Sequence, residues 1–270
     1  MLTFPNCKIN LGLHVTAKRP DGYHDLETCF FPIDWQDALE ILPAEELSFS
    51  SSGIDIPGDN ADNLCLRAYQ LLAADHDLPP VRIILQKNIP IGAGLGGGSA
   101  DASFTLKALN EHFGLHVPTE QLEAYALQLG SDCPFFIRNE PVIARGRGEL
   151  FEPLSLDLSG YYFLLVNPGI HVSTAQAYAG VKPQAPARPL SEVLAQPVST
   201  WRDSLVNDFE ASVFAAFPEI ARWKERLYAL GASYACMSGS GATVFGIFEE
   251  KPAMETVIAS GLSYHLQSPE

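Results

Sequence analysis

The sequence predicts a globular protein that combines strands and helices in two domains, and three observations support this. The chain has 270 residues, which exceeds the usual size of one domain. Apolar residues make up 47% of it and charged residues 18%, which is enough apolar surface for a full core. Segments with the period of a strand and segments with the period of a helix occur in both halves. We expect domains of residues 1–155 and 156–270.

The chain opens with a predicted hairpin. In KINLGLHV, residues 8–15, apolar side chains alternate with polar or small ones, which is the period of a strand with one apolar face. The next residues, KRPDGYH, contain Pro-Asp-Gly, which is a turn signal. LETCFFPI, residues 26–33, is then predicted to be the returning strand.

The following segments predict a helix, a strand and two more helices. A polar stretch, residues 47–63, precedes the first helix in NLCLRAYQLLAADHDL, and VRIILQK alternates as a strand. In SADASFTLKALNEHFG, Ser99 is the predicted N-cap and Gly114 the glycine that follows the last turn. In PTEQLEAYALQLG, Thr119 is the predicted N-cap and Gly130 ends the helix.

The second half begins after ARGRGELFEPL, which we interpret as the exit from the first domain. YYFLLVNPG, from residue 161, predicts an apolar strand, and the four prolines of residues 181–197 predict an extended surface loop. DSLVNDFEASVFAAF and EIARWKERLYALG predict helices, and YACMSGSGATVFGIF predicts two strands around a glycine-serine turn.

Charge and cysteine content exclude several classes of protein. The net charge of -15 repels nucleic acids and anionic membranes, so neither is an expected partner. The five cysteines are far apart and include no C-x-x-C pair, which is poor spacing for a metal site or a disulfide framework. We therefore expect a cytoplasmic protein, and we find neither an export signal nor a membrane span in the sequence.

The most informative segment is the glycine run IPIGAGLGGGSADAS, residues 89–103. It contains G-x-G-x-x-G, but a proline stands just before it and His112, not an acidic residue, lies 20 positions after Gly92. A P-loop is also excluded, because no lysine precedes the serine. Two interpretations remain: a loop whose N–H groups bind phosphate at a helix N-terminus, or a structural turn. Because ordering five glycines is entropically costly, we favour the first.

Three segments together resemble the GHMP family of small-molecule kinases: PNCKINLGLHVTAKRPDGYHDLETCF, PIGAGLGGGSADAS and MSGSGATVF. The first is similar to the branch that phosphorylates a cytidylyl sugar alcohol in non-mevalonate isoprenoid synthesis, and GSDCPFF and NDFE add support. The resemblance implies a two-domain α+β GHMP kinase fold, with an N-terminal ribosomal-S5-like unit and a C-terminal ferredoxin-like unit. It also implies ATP as the phosphoryl donor, Mg²⁺, and both substrates in a cleft between the domains.

The resemblance also implies roles for individual residues. Lys8 and Asp132 match the catalytic pair, in which aspartate accepts the hydroxyl proton and lysine steadies the developing charge. The residues expected to bind ATP are Asn63, Lys87, Pro90, Gly92, Gly94, Leu95, Gly96, Gly97, Gly98 and Ser99. The residues expected to bind the acceptor are Asn10, Tyr23, His24, Thr174, Tyr178, Gly239, Ser240 and Gly241. We locate no metal ligand in the sequence.

Alternatives remain open at this point. Without the resemblance, Asp132 is interpreted as a turn residue and Lys8 as an exposed strand lysine. A homoserine or mevalonate kinase of the same family would not need a site for a cytosine base. A nucleotide-binding module without catalytic activity would not need Lys8 together with Asp132.

Overall fold

The structure is a computed structural model that describes residues 1–59 and 62–269. By compactness the chain divides into two units, each assembled from separate segments. The first unit contains Met1–Lys8, Pro32–Ile91 and Gly96–Glu140, and the second contains Ile9–Phe31, Gly92–Leu95 and the chain from Pro141 onward. The division of the chain near residue 155 into an N-terminal and a C-terminal domain stays a prediction.

The chain contains runs of consecutive strands and runs of consecutive helices. The strands are β1 (Leu2–Thr3), β2 (Asn6–Lys18), β3 (His24–Gln36), β4 (Ala38–Pro43), β5 (Ser48–Gly53), β6 (Val81–Lys87), β7 (Val142–Gly146), β8 (Leu150–Pro153), β9 (Tyr162–Asn167), β10 (Tyr234–Met237), β11 (Val244–Phe248) and β12 (Ser263–Gln267). The α-helices are α1 (Leu64–Asp75), α2 (Gly97–His112), α3 (Thr119–Leu129), α4 (Phe135–Arg138), α5 (Thr174–Tyr178), α6 (Leu190–Leu194), α7 (Glu210–Ala216), α8 (Pro218–Ala229) and α9 (Glu255–Ala259). A 3-10 helix covers Val198–Asp203.

In the first unit, a sheet with the order β1-β4-β6-β5 lies against helices. Strand β6 pairs antiparallel with β4 and parallel with β5. Apolar residues of β4, β6 and helices α1, α2 and α3 form one buried cluster, which includes Ile41, Ile83, Leu106 and Ala126. This core supports the start of α2, where the glycine run ends.

In the second unit, the sheet β10-β11-β9-β12 is antiparallel throughout. Its core contains Leu164 and Val244 from the sheet and Trp223 from α8, all of them buried. The third sheet has the order β2-β3-β7-β8, in which β7 pairs antiparallel with both β3 and β8. The strand before the Pro-Asp-Gly turn and the strand after it are therefore neighbours, as the sequence predicts for a hairpin.

Several predicted elements are confirmed, among them the strand at residues 81–87, the helix that precedes it, and the strands on both sides of the terminal turn. Gly114 follows the C-cap of α2 with a φ of +58°, which is the conformation that favours glycine. The opening strand differs from the prediction, because Lys8 and Asn10 on its polar face are also buried. A strand that is covered on both faces can still alternate in sequence when its polar face lines a site.

Other boundaries were predicted wrongly. The N-cap of α2 is Gly96 rather than Ser99, and the N-cap of α3 is Pro118 rather than Thr119. The helix predicted from residue 203 begins only at Glu210, because Asp203 still belongs to a 3-10 helix.

Two segments without predicted regular structure contain some. Residues 48–53 of the polar stretch form β5. The serines of this segment show no strand pattern, but pairing with β6 satisfies its backbone hydrogen-bonding groups. Residues 60 and 61 of that stretch lie outside the described residues. The proline-rich loop contains the short helix α6, whose Leu190 and Leu194 are buried.

Candidate active site

The predicted catalytic pair meets within the first unit. Lys8 lies on β2 with its side chain 5% exposed, and Asp132 lies between α3 and α4. The Nζ atom of Lys8 is 3.4 Å from Oδ2 of Asp132, whose side chain is 31% exposed. Asp132 therefore combines a buried cationic partner with a carboxylate that a ligand can reach. Asp132 does lie in a turn, so the structural interpretation and the catalytic one are compatible.

Hydrogen bonds hold the turn that carries Asp132. Helix α3 ends at its C-cap Gly130, and the N–H of Cys133 donates to the carbonyl of Gly130 over 3.2 Å. The hydroxyl of Ser103, on α2, donates to the carbonyl of Cys133 over 2.7 Å. Burial raises the pKa of the Cys133 thiol to about 11, so this thiol is neutral near pH 7. The turn is thus fastened to the helix that follows the glycine run.

The end of the glycine run lies beside Lys8. Gly96 has a φ of +69°, and a Cβ placed on it would lie 3.2 Å from Cε of Lys8 and 3.1 Å from the ring of Phe136. A side chain at this position would therefore displace the lysine. Gly97, Gly98 and Ser99 form the first turn of α2, where backbone N–H groups have no acceptor within the helix. Such a turn can bind an anion, aided by the helix dipole.

The remaining ATP-binding candidates of the first unit have structural partners. The side chain of Asn63 caps α1 by accepting the N–H of Cys65 over 2.9 Å. The ammonium of Lys87 lies between the carboxylates of Asp37 and Asp101. Asp101 is therefore turned inward, which removes it from competition with a phosphate at the start of α2.

In the second unit, Asn10, Gly94 and the terminal turn converge. The hydroxyl of Ser238 donates to the carbonyl of Gly94 over 2.8 Å and accepts the N–H of Asn10 over 3.2 Å. The amide of Asn10 also donates to the hydroxyl of Thr28 over 2.9 Å. Ser238 was missed by the sequence analysis, which began the turn at Gly239. Its position directly before that turn was the available signal.

Asn207 supports the same turn. Its side-chain amide donates to the carbonyls of Met237 and Gly239, both over 2.8 Å. In the sequence, Asn207 is part of the NDFE resemblance, which assigns it no role of its own. Asn207 therefore holds the backbone at residues 237–239 in place.

The predicted base-binding residues also lie in the second unit. The rings of His24 and Tyr178 are stacked, with centroids 4.7 Å apart and an angle of 22° between the planes. Phe209 packs edge-on against Tyr178 with centroids 4.7 Å apart. Burial raises the pKa of Tyr178, which keeps its hydroxyl protonated. Tyr23 is 58% exposed, and Thr174 is an exposed residue at the start of α5.

The other predicted residues are described by their surroundings. Leu95 is buried, Pro90 and Ser240 are half-buried, and both Gly92 and Gly241 have a positive φ. A Cβ on Gly241 would lie 2.7 Å from Sδ of Met237, so this position is closely packed. The binding roles of all these residues stay predictions.

Two further findings concern the described part of the chain. Across residues 1–59 and 62–269, no group of three or more His, Cys, Asp and Glu side chains is placed to hold a metal ion. Among the helices of the same residues, none has the length and apolar character needed to cross a membrane.

Comparison with protein families identifies both halves of the chain. Residues 63–140 match the GHMP kinases N terminal domain, and residues 191–263 match the GHMP kinases C terminal domain. The predicted α+β GHMP kinase fold is thereby confirmed. The predicted boundary near residue 155 lies between the two matched ranges.

Known proteins resemble the chain over nearly its whole length. It is 54% identical to the 4-diphosphocytidyl-2-C-methyl-D-erythritol kinase of Cytophaga hutchinsonii, over 93% of this chain and 94% of that protein. It is 53% identical to the enzyme of the same name from Bacteroides fragilis, with the same coverage. A crystal structure of 4-(cytidine 5'-diphospho)-2C-methyl-D-erythritol kinase matches with a TM-score of 0.84 and 34% identity, over 98% of both chains. The chain therefore belongs to the GHMP kinase family, and within it to the 4-diphosphocytidyl-2-C-methyl-D-erythritol kinases.

Proposed function

We propose that the protein transfers the γ-phosphate of ATP to the 2-hydroxyl of 4-diphosphocytidyl-2-C-methyl-D-erythritol, a step in non-mevalonate isoprenoid precursor synthesis. The observation that carries the proposal is the identity of more than 50% to relatives of that name, over more than nine-tenths of each chain. The pairing of Lys8 with Asp132 at 3.4 Å supports it, since a binding module without catalytic activity would have no need for this pair.

The chemistry assigned to Lys8 and Asp132 is proton transfer and charge stabilisation. The acceptor oxygen forms a bond to the γ-phosphorus while the bond between that phosphorus and the ADP oxygen breaks. Asp132 takes the proton of the hydroxyl, and the ammonium of Lys8 stabilises the negative charge that develops on the acceptor oxygen. The partial exposure of Asp132 supports this role, because a fully buried carboxylate could not reach the alcohol.

The nucleotide phosphates are assigned to the glycine run. Four of residues 94–99 are glycines, whose backbone N–H groups have no side chain of their own that would keep a phosphate away, and α2 adds its dipole. Mg²⁺ is part of the proposal, and it would neutralise negative charge on the nucleotide phosphates. Mg²⁺ in kinases commonly needs few protein ligands, because nucleotide phosphates supply others.

The cytidine end of the acceptor is assigned to the hairpin turn and α5. The stacked rings of Tyr178 and His24 form an aromatic surface, and His24 offers ring nitrogens that can form hydrogen bonds with a cytosine edge. Tyr23 belongs to the same turn, and its large exposed area suits contact with a ligand. A kinase of homoserine or mevalonate would have no base to place here.

A cytoplasmic location is also part of the proposal. All five cysteines are buried free thiols. Burial raises the pKa of Cys7, Cys29 and Cys65, so these thiols are unreactive members of the core rather than a redox site.

The test is an assay of ADP release with three acceptors at equal concentration: the cytidylyl compound, homoserine and mevalonate. We expect MgATP to be consumed with the cytidylyl compound at a rate at least about 100-fold above that with either competitor. A chain that phosphorylates homoserine or mevalonate but not the cytidylyl compound would refute the proposal.

A further inference from the structure

Three charged side chains are buried together beneath the start of α2. The ammonium of Lys87 is 2.5 Å from Oδ2 of Asp37 and 2.7 Å from Oδ2 of Asp101. The exposed fractions of these side chains are 2%, 0% and 5%, respectively. Burying one cation with two anions is costly, and two carboxylates exceed what one ammonium neutralises. A cluster of this kind therefore needs a function that a hydrophobic contact could not supply.

One side of the cluster fixes the chain just before the glycine run. Oδ1 of Asp37 accepts the N–H of Asn88 over 2.6 Å and the N–H of Ile89 over 2.9 Å. Pro90 follows directly, and a proline has no N–H to continue this pattern. Asp37 thus anchors the last residues before the run, while Lys87, the residue before Asn88, binds its other oxygen.

The other side of the cluster fixes the helix after the glycine run. Lys87 binds Asp101, which lies on α2 two residues after Ser99. A Cβ on Gly97 would lie 3.0 Å from Nζ of Lys87 and 2.9 Å from Cγ2 of Ile89. The first turn of α2 therefore lies directly against the ammonium, and a side chain at residue 97 would crowd Lys87 and Ile89. Lys87 therefore connects both ends of residues 90–96, through Asp37 on one side and Asp101 on the other.

We propose that Lys87 is a positioning residue, which fixes both ends of the glycine run through Asp37 and Asp101 and so holds its N–H groups ready for the nucleotide phosphates. In this role Lys87 acts through the backbone of the run and does not itself contact the nucleotide. The inference rests on the proposed function only in that residues 94–99 bind phosphate.

The direction in which one substitution changes the affinity for nucleotide distinguishes this role from direct contact with the phosphates. Asp37→Asn removes a negative charge close to Lys87 and leaves an amide that cannot accept both backbone N–H groups and the ammonium as a carboxylate does. If Lys87 contacted the phosphates directly, the loss of a competing carboxylate would strengthen nucleotide binding. If Lys87 acts by positioning, the loosened run binds nucleotide more weakly.

The experiment measures binding of a non-hydrolysable ATP analogue, AMPPNP with Mg²⁺, to the full chain by calorimetry, without acceptor. We expect Asp37→Asn to raise the Kd at least about 10-fold, and the KM for ATP in turnover to rise with it while the KM for the acceptor changes less than about threefold. A Kd within twofold of wild type, or a lower one, would overturn the inference.

Two further variants protect the test against a folding defect. Lys87→Met with Asp101→Asn removes the ammonium and one carboxylate together, and we expect the same weakening, whereas an unchanged Kd would again overturn the positioning role. Lys224→Met is the matched control, because Lys224 pairs with Glu210 at 2.7 Å in the second unit. It should lower the melting temperature but leave the Kd within twofold. A wild-type protein that binds no nucleotide would refute the proposed function itself.

Discussion

Asp132 lies in a turn that its local sequence predicts, and it pairs with a residue that is distant in the sequence. Its type and its place after Gly130 predict only a turn, and a turn is what the backbone forms. Its pairing with Lys8 joins residues 124 positions apart, which no local pattern in the sequence can indicate. The resemblance to the kinase family supplied the pair, and the structure brings the two side chains together.

Asp132→Asn keeps the shape of the side chain and removes its ability to accept a proton. We expect kcat to fall by about 10²–10⁴, because general-base assistance contributes that much. The affinity for AMPPNP should change by less than about threefold, since the glycine run is untouched. Steady-state kinetics and calorimetry measure the two effects. Asp77→Asn, at an exposed loop position, is the control and should leave kcat unchanged; an unchanged kcat in Asp132→Asn would remove the residue from the base role.

The buried carboxyl group of Asp101 makes the stability of the protein depend on pH. Burial raises its pKa from 3.8 to about 7, in spite of the opposing attraction of Lys87. The charged or titratable groups that face it are Lys87, Asp37 and the thiol of Cys65, whose own pKa is raised by burial. Between about pH 4 and pH 7, the folded protein therefore holds a proton that the unfolded chain has lost. Stability must fall as the pH rises through this window, because the folded state binds more protons.

Asp101→Asn removes this titration. We expect the free energy of unfolding of the wild type to decline relative to that of the variant as the pH rises from 5 to 8. Urea unfolding at a series of pH values measures the difference between the two proteins. A difference that stays constant across this range would show that Asp101 titrates normally in the folded state.

At the scale of elements, the sequence predicts both the glycine run and α2, but it does not predict the residue at which α2 begins. Helical periodicity predicts α2, and Gly114 predicts its end. The start was predicted three residues late, because serine is the commoner N-cap and Gly96 caps by its backbone conformation alone. The strand β5 could not be predicted, since its serines carry no apolar alternation and its pairing with β6 is set by the rest of the sheet.

Two glycines of the run, Gly94 and Gly98, differ in the space available for a side chain. A Cβ on Gly94, whose φ is +79°, would lie 2.0 Å from the carbonyl oxygen of Ser238. We expect Gly94→Ala to cost about 2–4 kcal/mol of stability, from the left-handed backbone and the overlap together. Gly98 lies in the first turn of α2, and its nearest neighbour would be 3.9 Å from a new Cβ. Gly98→Ala should instead be neutral or stabilise by up to about 1 kcal/mol.

Urea unfolding compares the two glycine variants with the wild type. The expected order of stability places Gly94→Ala well below the wild type and Gly98→Ala at or above it. Equal stability of the two variants would contradict the close contact between Gly94 and Ser238.

At the scale of the whole molecule, composition and periodicity predict a mixed fold, and the family matches confirm it as that of a GHMP kinase. The segments that make up each compact unit could not be predicted from the sequence. A pattern along the chain predicts one boundary, whereas by compactness residues 9–31 and 92–95 group with the second unit. This grouping depends on the pairing of β3 with β7, a strand far along the chain, and local sequence does not encode that pairing.

Identification of the reaction product tests the proposed activity more closely than any rate. The protein is incubated with MgATP and 4-diphosphocytidyl-2-C-methyl-D-erythritol, and the products are examined by mass spectrometry and ³¹P NMR. We expect one ADP for each acceptor consumed, and an acceptor that gains a single phosphate monoester on its 2-hydroxyl while its diphosphate link stays intact. Formation of ADP without a phosphorylated acceptor, or a phosphate placed on the cytidine ribose, would contradict the assignment.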